Sequence, residues 1–266
     1  MNLGEAEVGS TMRSMVRYVD EDLRGAEFRE CDLSQARFIG AVMRDAVIDG
    51  LVSGLLVNGV EVTGYVEAEL DRRYPVRPLI RSEDPVELRR ATAMLHADWA
   101  ATIERIRRAP GIESRTVNGE WSATQTLRHL VFVHDSWFRR CCLGARESFT
   151  PWGLGPDAGP YRGANGLDLT LDPAFEDVVA VRAAQAAELE DWLGTVTPGR
   201  LAAAAPVPDD DVWPPYARGR SVRQCLVTVL TELFEHHRYC VRDLDRIGSF
   251  VDQAARGGGE SRSSQK

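Results

Sequence analysis

No run of about eighteen apolar residues occurs in the 266-residue chain, so no membrane-crossing helix is expected. Positive charge is also scarce. Lys and Arg number 32 against 40 Asp and Glu, for a net charge of -8, and Lys266 is the single lysine. A chain with this balance has few clustered cations to displace counterions from a phosphate backbone, so nucleic acid is not an expected partner. Its five cysteines, Cys31, Cys141, Cys142, Cys225 and Cys240, show no C-x-x-C spacing. They read as reduced, mostly buried small hydrophobes. Nothing resembles a phosphate loop, a dinucleotide fingerprint or a Ser-His-Asp arrangement. The opening M-N-L-G-E-A-E-V-G-S lacks a basic start followed by an apolar core, so the expected location is cytoplasmic.

What is present, 44% hydrophobic and 27% charged residues, is the composition of an ordinary globular protein. The first twenty residues carry little pattern beyond a short strand at Met12–Val19. From Leu23 a period of five takes over. Leu23, Phe28, Leu33, Phe38, Met43 and Ile48 are apolar, and Ala26, Cys31, Ala36, Ala41 and Ala46 supply small residues between them. Five matches neither the helical period of 3.6 nor the strand period of 2. It fits a coiled repeat in which large side chains return to the axis and small ones sit at tight turns. Beyond Asp49, Val and Leu clusters broken by Gly and Asn suggest extended segments with a turn at Asn58-Gly59. A short helix follows and ends before Pro75.

Four longer amphipathic segments come next. The first opens at Ser82-Glu83-Asp84-Pro85 and runs to about Arg108, burying Leu88, Ala91, Leu95, Trp99, Thr102, Ile103 and Ile106. A second starts at Ser122, where Ser122 and Gln125 fit a capping box, and runs to Leu143 before Gly144. The third spans Pro173 to about Thr195. A fourth starts at Ser221 with a second capping box, Ser221 and Gln224, and ends near Gly248. Long connections separate them. Gly144–Asp172 holds Trp152 and Tyr161, and Pro198–Arg220 holds three aspartates, Trp213 and Tyr216. Long irregular connections tend to be functional. This gives an N-terminal repeat-like segment over 1–80, a four-helix bundle over 81–250 and a polar, Gly-rich tail over 251–266 expected to be disordered.

Candidate ligands concentrate on the fourth segment, in E-L-F-E-H-H-R-Y-C-V-R-D-L from Glu232 to Leu244. Glu232 and His236 are four apart and leave one side of the helix together, so one helix can offer two ligands to one ion. A third must come from elsewhere. Glu232 could instead pair with Arg128 or Arg238, leaving His129 and His236 as interhelical histidines. His96 and His134 read as surface or boundary residues. Glu235, Arg238 and Asp243 read as solvated or ion-paired.

G-A-E-F-R-E-C-D-L-S-Q-A-R-F resembles the pentapeptide-repeat family, whose fold is a square right-handed β-helix. N-G-E-W-S-A-T-Q-T-L-R-H-L-V-F together with the Glu232–Leu244 stretch resembles the DinB-like family of bacterial four-helix proteins, and within it a group with pentapeptide repeats in front of the bundle. The resemblance implies a mainly α fold of up-down-down-up topology, with helices two and three parallel and joined by a long crossover. It also implies a divalent metal, zinc or nickel, held by His129 of the second helix with Glu232 and His236 of the fourth. Many relatives have histidine where Glu232 stands. In a rival register His237 is the ligand, but Leu233, four residues earlier, cannot bind metal.

Two functions follow. In the first, the metal activates a low-molecular-weight thiol for transfer to a small-molecule electrophile, as relatives that are thiol-dependent S-transferases or a mycothiol-dependent maleylpyruvate isomerase would imply. Low lysine with abundant Ala, Arg, Gly and Asp suits a GC-rich actinobacterial genome, hence mycothiol. Trp152 and Tyr161 would wall the pocket. In the second, the chain is a non-catalytic binding protein with a vestigial site. A homodimer is compatible with either. The repeat covers too few coils to bury its own axis and is expected to lean on the bundle. Residues 82–250 alone should therefore melt below the full chain, and equal melting temperatures would make the repeat an independent module.

Overall fold

The computed structural model describes residues 16–29, 31–155 and 165–257, apart from the side chains of 249–257. Tyr161, the tail beyond Gly257 and residues 12–15 of the expected first strand lie outside the described residues, and 16–19 form no strand. The chain divides into two compact units, Met1–Val52 and Ser53–Lys266.

In the first unit the five-residue period becomes a backbone period. Positive φ recurs at Asp20, Gly25, Gln35, Gly40, Asp45 and Gly50. Around two of these positions the amides of Ala26 and Ala36 donate to the carbonyls of Leu23 and Leu33 at 3.0 Å, three residues back. A turn with positive φ at its third residue is type II, and the small fourth residue lets the chain fold back tightly. The large apolar residues of the period, Leu23 to Ile48, are 46% to 65% exposed.

The second unit opens with a hairpin of β1 (Leu56–Val57) and β2 (Val60–Glu61), paired Val57 to Val60. Asn58 and Gly59, with φ of 50° and 83°, make the expected tight turn between them. The short helix α1 (Thr63–Arg73) ends before Pro75 as read from the sequence. It is followed by a helix not expected from the sequence, α2 (Val76–Ile80), which places Val76 and Ile80 in the core. Tyr74 also packs edge-on to Phe234 at 5.3 Å. The boundary expected near residue 80 therefore gives way to a division at 52/53, because α2 docks into the bundle and α1 is joined to α2 by the Arg77 pairs with Glu67 and Asp71. Cutting at residue 82 would remove Val76 and Ile80 from the core, so a cut before Ser53 is what isolates the repeat's own contribution to stability.

The four long helices are α3 (Pro85–Arg107), α4 (Ala123–Val133, continuing as a π-helix over His134–Leu143), α5 (Phe175–Thr195) and α7 (Val222–Gly257). A short α6 (Pro198–Ala202) precedes α7. Both expected capping boxes form: Ser122 Oγ accepts from the Gln125 amide while Gln125 Oε1 accepts from that of Ser122, and Ser221 and Gln224 repeat the exchange. Helix α7 runs nine residues past the expected stop at Gly248, into the segment expected to be a disordered tail. A lone glycine in a helix costs only about 1 kcal/mol relative to alanine, which is not enough to end one.

Cross-helix bonds fix the directions. Between α4 and α5 the residue numbers rise together, Leu130 with Arg182, Asp135 with Gln185 and Arg139 with Glu188, so these helices are parallel. Between α3 and α7 they also rise together, Trp99 with Leu233 and Thr102 with His237. Between α3 and α5 they fall, His96 with Glu190 and Arg107 with Glu176. His129 with Glu232 and Cys142 with Val222 make α4 and α7 antiparallel. The bundle is up-down-down-up, and Gly144–Ala174 supplies the crossover between parallel α4 and α5. Gly144 turns the chain out of α4 at φ 80°, where an added Cβ would stand 3.0 Å from the Pro206 carbonyl.

The π-helix marks a polar layer that hydropathy patterning did not reveal. Asp135, Arg182 and Gln185 are all buried. Arg182 and Gln185 donate from α5 to the carbonyls of Leu130 and Val131 at 3.3 Å, and Gln185 also donates to Asp135 at 3.0 Å. At the passage into the π-helix the His134 amide is shared between these same two carbonyls, and the side chains of α5 take up their remaining acceptor positions. His134, expected at a surface or boundary, is 2% exposed and lies here instead, its Nε2 3.1 Å from Glu188. Buried in this layer, it satisfies its ring through the neighbouring helix.

Burial pushes the His134 pKa down to about 4, against the opposing pull of Glu188. Glu188 itself is held at about 2, first by the His134 hydrogen bond and, against its burial, by Arg139 as well. An unfolded histidine takes up a proton below pH ~6.5 and the folded one only near 4, so stability is full above ~6.5 and falls as pH drops to about 4. The loss from this one group is on the order of 3 kcal/mol. Glu188 adds its own loss below pH ~4.5. His134→Gln should flatten the fall in melting temperature between pH 6.5 and 4 while leaving the steeper acid limb, and an unchanged slope would remove His134 from this role.

Candidate metal centre

Helices α4 and α7 face each other across His129, Glu232 and His236, whose ligand atoms all lie within 4.8 Å of one another. His236 Nε2 stands 3.0 Å and His129 Nε2 3.3 Å from Glu232 Oε2. Glu232 thus turns to the two rings, while Arg128 reaches the Trp152 carbonyl and Asp172, and Arg238 pairs with Glu235. The side chains of His129 and His236 are mostly buried, and about a third of the Glu232 side chain remains exposed. Trp121, in the turn before α4, lies against both rings at 4.9 Å and 5.9 Å and is stacked on His236 at 20°. It excludes water from one side of the cluster and was not among the residues singled out from the sequence.

His129 is buried. Its Nδ1 donates to the Leu154 carbonyl at 2.9 Å. That carbonyl can only accept, so Nδ1 carries a proton and Nε2 is the nitrogen turned to the carboxylate oxygen. Two electron-rich atoms at 3.3 Å require a cation between them, either a proton or a metal ion. The loop is clamped for this role, because the Leu154 amide donates to the Arg128 carbonyl at 3.1 Å and Arg128 Nε donates to that of Trp152 at 2.9 Å. A carbonyl that fixes the tautomer of a candidate ligand is the usual support of a metal-bound histidine. Trp152 thus serves through its backbone, not as the aromatic wall expected of it.

Burial pushes the Glu232 carboxyl up, but the hydrogen-bonded His129 and His236 rings outweigh it and leave the group at about 2. The donor set is therefore two imidazole nitrogens and an ionised carboxylate. Three such donors suit a zinc-type ion with a fourth position open.

His237 points elsewhere. Its Nε2 lies 2.8 Å from Thr102 Oγ1 and its ring meets Trp99 edge-on at 5.1 Å. Leu233 is buried, and its carbonyl accepts from Trp99 Nε1 at 3.0 Å. The pair of the rival register thus belongs to the α3–α7 seam. One helical residue's rotation separates the two roles, which the sequence alone left open.

A cleft of about 350 Å3 opens from His129 and Glu232. Its walls are Phe132 and Trp137 from α4 and its π-extension, and Trp213, Tyr216 and Arg220 from the loop before α7. The wider π turn rotates the chain less per residue than an α turn, which keeps Trp137 on the side of His129. The expectation that Trp152 and Tyr161 would form the walls placed them in the wrong connection for Trp152, and Tyr161 lies outside the described residues.

Fold and site define a four-helix bundle with a His-Glu-His cluster on the seam between its second and fourth helices. Comparison with family models agrees. The model described as DinB superfamily matches residues 62–240, and the chain belongs to that superfamily. A model described as pentapeptide repeats matches residues 22–50. No curated protein and no solved structure matched the chain.

His237→Ala should lower the melting temperature by several degrees, since it removes the bond to Thr102 and the contact with Trp99 that join α3 to α7. Thr102→Val should do the same in part. An unchanged melting temperature in both variants would deny this seam its stabilising role.

Proposed function

We propose that the chain binds one divalent ion, zinc or nickel, through His129, Glu232 and His236, and uses the open position to activate a low-molecular-weight thiol toward a small electrophile. The observation that carries this reading is Nε2 of His129 held against the Glu232 carboxylate by the Leu154 carbonyl, an arrangement that asks for a cation between them. An ion there would supply a lowered thiol pKa and a thiolate at neutral pH. The chain's own residues supply the rest. Glu232 lowers the net charge of the site, Trp121 keeps water from one side, and the aromatic cleft receives the electrophile.

Metal analysis of protein purified without an affinity tag should find about one equivalent of zinc or nickel. His129→Ala should lose it and should forfeit the rise in melting temperature that added zinc gives the parent. Full metal retained in His129→Ala would move the site. For the chemistry, conjugation of mycothiol, bacillithiol and glutathione to monochlorobimane is compared between the metal-loaded parent and His129→Ala. At least one thiol should react faster with the parent. If none does, the second reading holds, a binding protein with a vestigial site, which is favoured by the exposed Phe28, Phe38 and Ile48 of the repeat unit.

A further inference from the structure

The cleft beside the metal cluster is lined by aromatic rings and one cation, Arg220. Arg220 is set in the turn that leads into α7. Its amide donates to the Ala217 carbonyl, and its own carbonyl accepts from Ala205. The guanidinium carbon lies 5.3 Å from the centroid of the Trp137 ring and 5.7 Å from that of Tyr216, and those two rings are themselves in edge contact at 5.8 Å. Stacking on rings engages the face of a guanidinium and leaves its in-plane N–H fork available.

Neighbouring arginines are neutralised. Arg140 pairs with Asp210, Arg218 with Asp209 at 2.6 Å, and Arg223 with Glu83 at 3.7 Å. Among the described residues no carboxylate pairs with Arg220, and none accepts a hydrogen bond from its side chain. In a chain of net charge -8 with 40 acidic residues, an arginine left unpaired in a half-buried cleft stands out. Holding a cation on aromatic rings without its anion costs desolvation that an incoming anion would recover.

We propose that Arg220 is the anchor for the carboxylate of a small planar substrate, whose frame lies along Trp137, Trp213 and Tyr216 and whose reactive end faces the His129–Glu232–His236 cluster. The inference rests on the reading that this cleft is the substrate site, and it adds the class of substrate, a monocarboxylate carried on an aromatic or conjugated frame. The cleft volume lies near the lower end of the ~300–1,000 Å3 usual for ligand pockets, which suits a small molecule of this kind. One guanidinium matches one negative charge. A phosphate dianion would bring a second charge toward Glu232 with no cation among the cleft residues to meet it.

Tryptophan fluorescence of the full chain tests this, since Trp137 and Trp213 line the cleft. The probes are benzoate, its neutral isostere benzamide, and phenyl phosphate, each titrated with EDTA and again with excess zinc. Benzoate should bind at least about tenfold tighter than benzamide under both conditions, as expected for a charge-assisted bidentate pair. Arg220→Met should erase that preference, leaving benzamide binding and zinc content at the parent's level, and Arg220→Lys should keep part of it. A benzoate preference that survives Arg220→Met, or no saturable benzoate binding, overturns the proposal. So does a preference that exists only with zinc, because the carboxylate would then be a metal ligand. Tighter binding of phenyl phosphate than of benzoate reassigns the anchor to phosphate and overturns the carboxylate class. The EDTA arm reads Arg220 even if the parent binds no metal, so failure of the metal reading and failure of this one are told apart.

Discussion

The His129 ring is held between the Leu154 carbonyl and the Glu232 carboxylate, and this bond pair ties together the three segments that make the site. A backbone carbonyl has no proton to give, so it accepts the Nδ1 hydrogen bond and dictates that Nε2 is the nitrogen that faces the cluster. The crossover between α4 and α5 is required by topology in any up-down-down-up bundle. Here it carries a second constraint, because the Trp152–Leu154 turn must return to Arg128 and His129 to orient the ring.

One helix carries two polar systems back to back. Toward α7, α4 presents His129 to the cluster, while toward α5 its carbonyls and Asp135 meet Arg182 and Gln185 in a buried network. A buried network of this kind is costly if partly satisfied and specific if fully satisfied. It lies where α4 passes into the π-helix. That transition decides that Trp137 faces the cleft, so the polar layer on the far side of the helix and the aromatic wall on the near side share it.

Charge is distributed to the same end. Near the cleft, arginines other than Arg220 meet aspartates or glutamates, and Glu232 is ionised beside two imidazoles. The cleft therefore has a carboxylate-bearing donor set at one end and a ring-stacked cation at the other, in a protein whose surface is net acidic. Polarity along the cleft, more than its volume, is what gives it an orientation.

Much of the fold is a local matter and was legible in the sequence. Capping boxes at Ser122 and Ser221, the turn at Asn58-Gly59, the stop at Gly144 and the apolar stripe of Leu88, Leu95, Trp99 and Ile106 depend on residues a few positions apart. The repeat's period was equally legible, since its turns at Leu23–Ala26 and Leu33–Ala36 are each closed by a bond three residues long. Glu232 and His236 were legible as a pair because a helix places i and i+4 on one side, whereas His129 came through resemblance to a family. Other features depended on residues far apart in the chain, which no window of sequence contains. They include the burial of His134 against Glu188, the placement of His236 beside Glu232 and of His237 against Thr102, the docking of α2 into the bundle and the assembly of Trp121, Trp137, Trp213, Tyr216 and Arg220 around the cluster. Helical periodicity shows which side of a helix is apolar, but only packing decides which neighbour that side meets and which buried polar group finds its partner there.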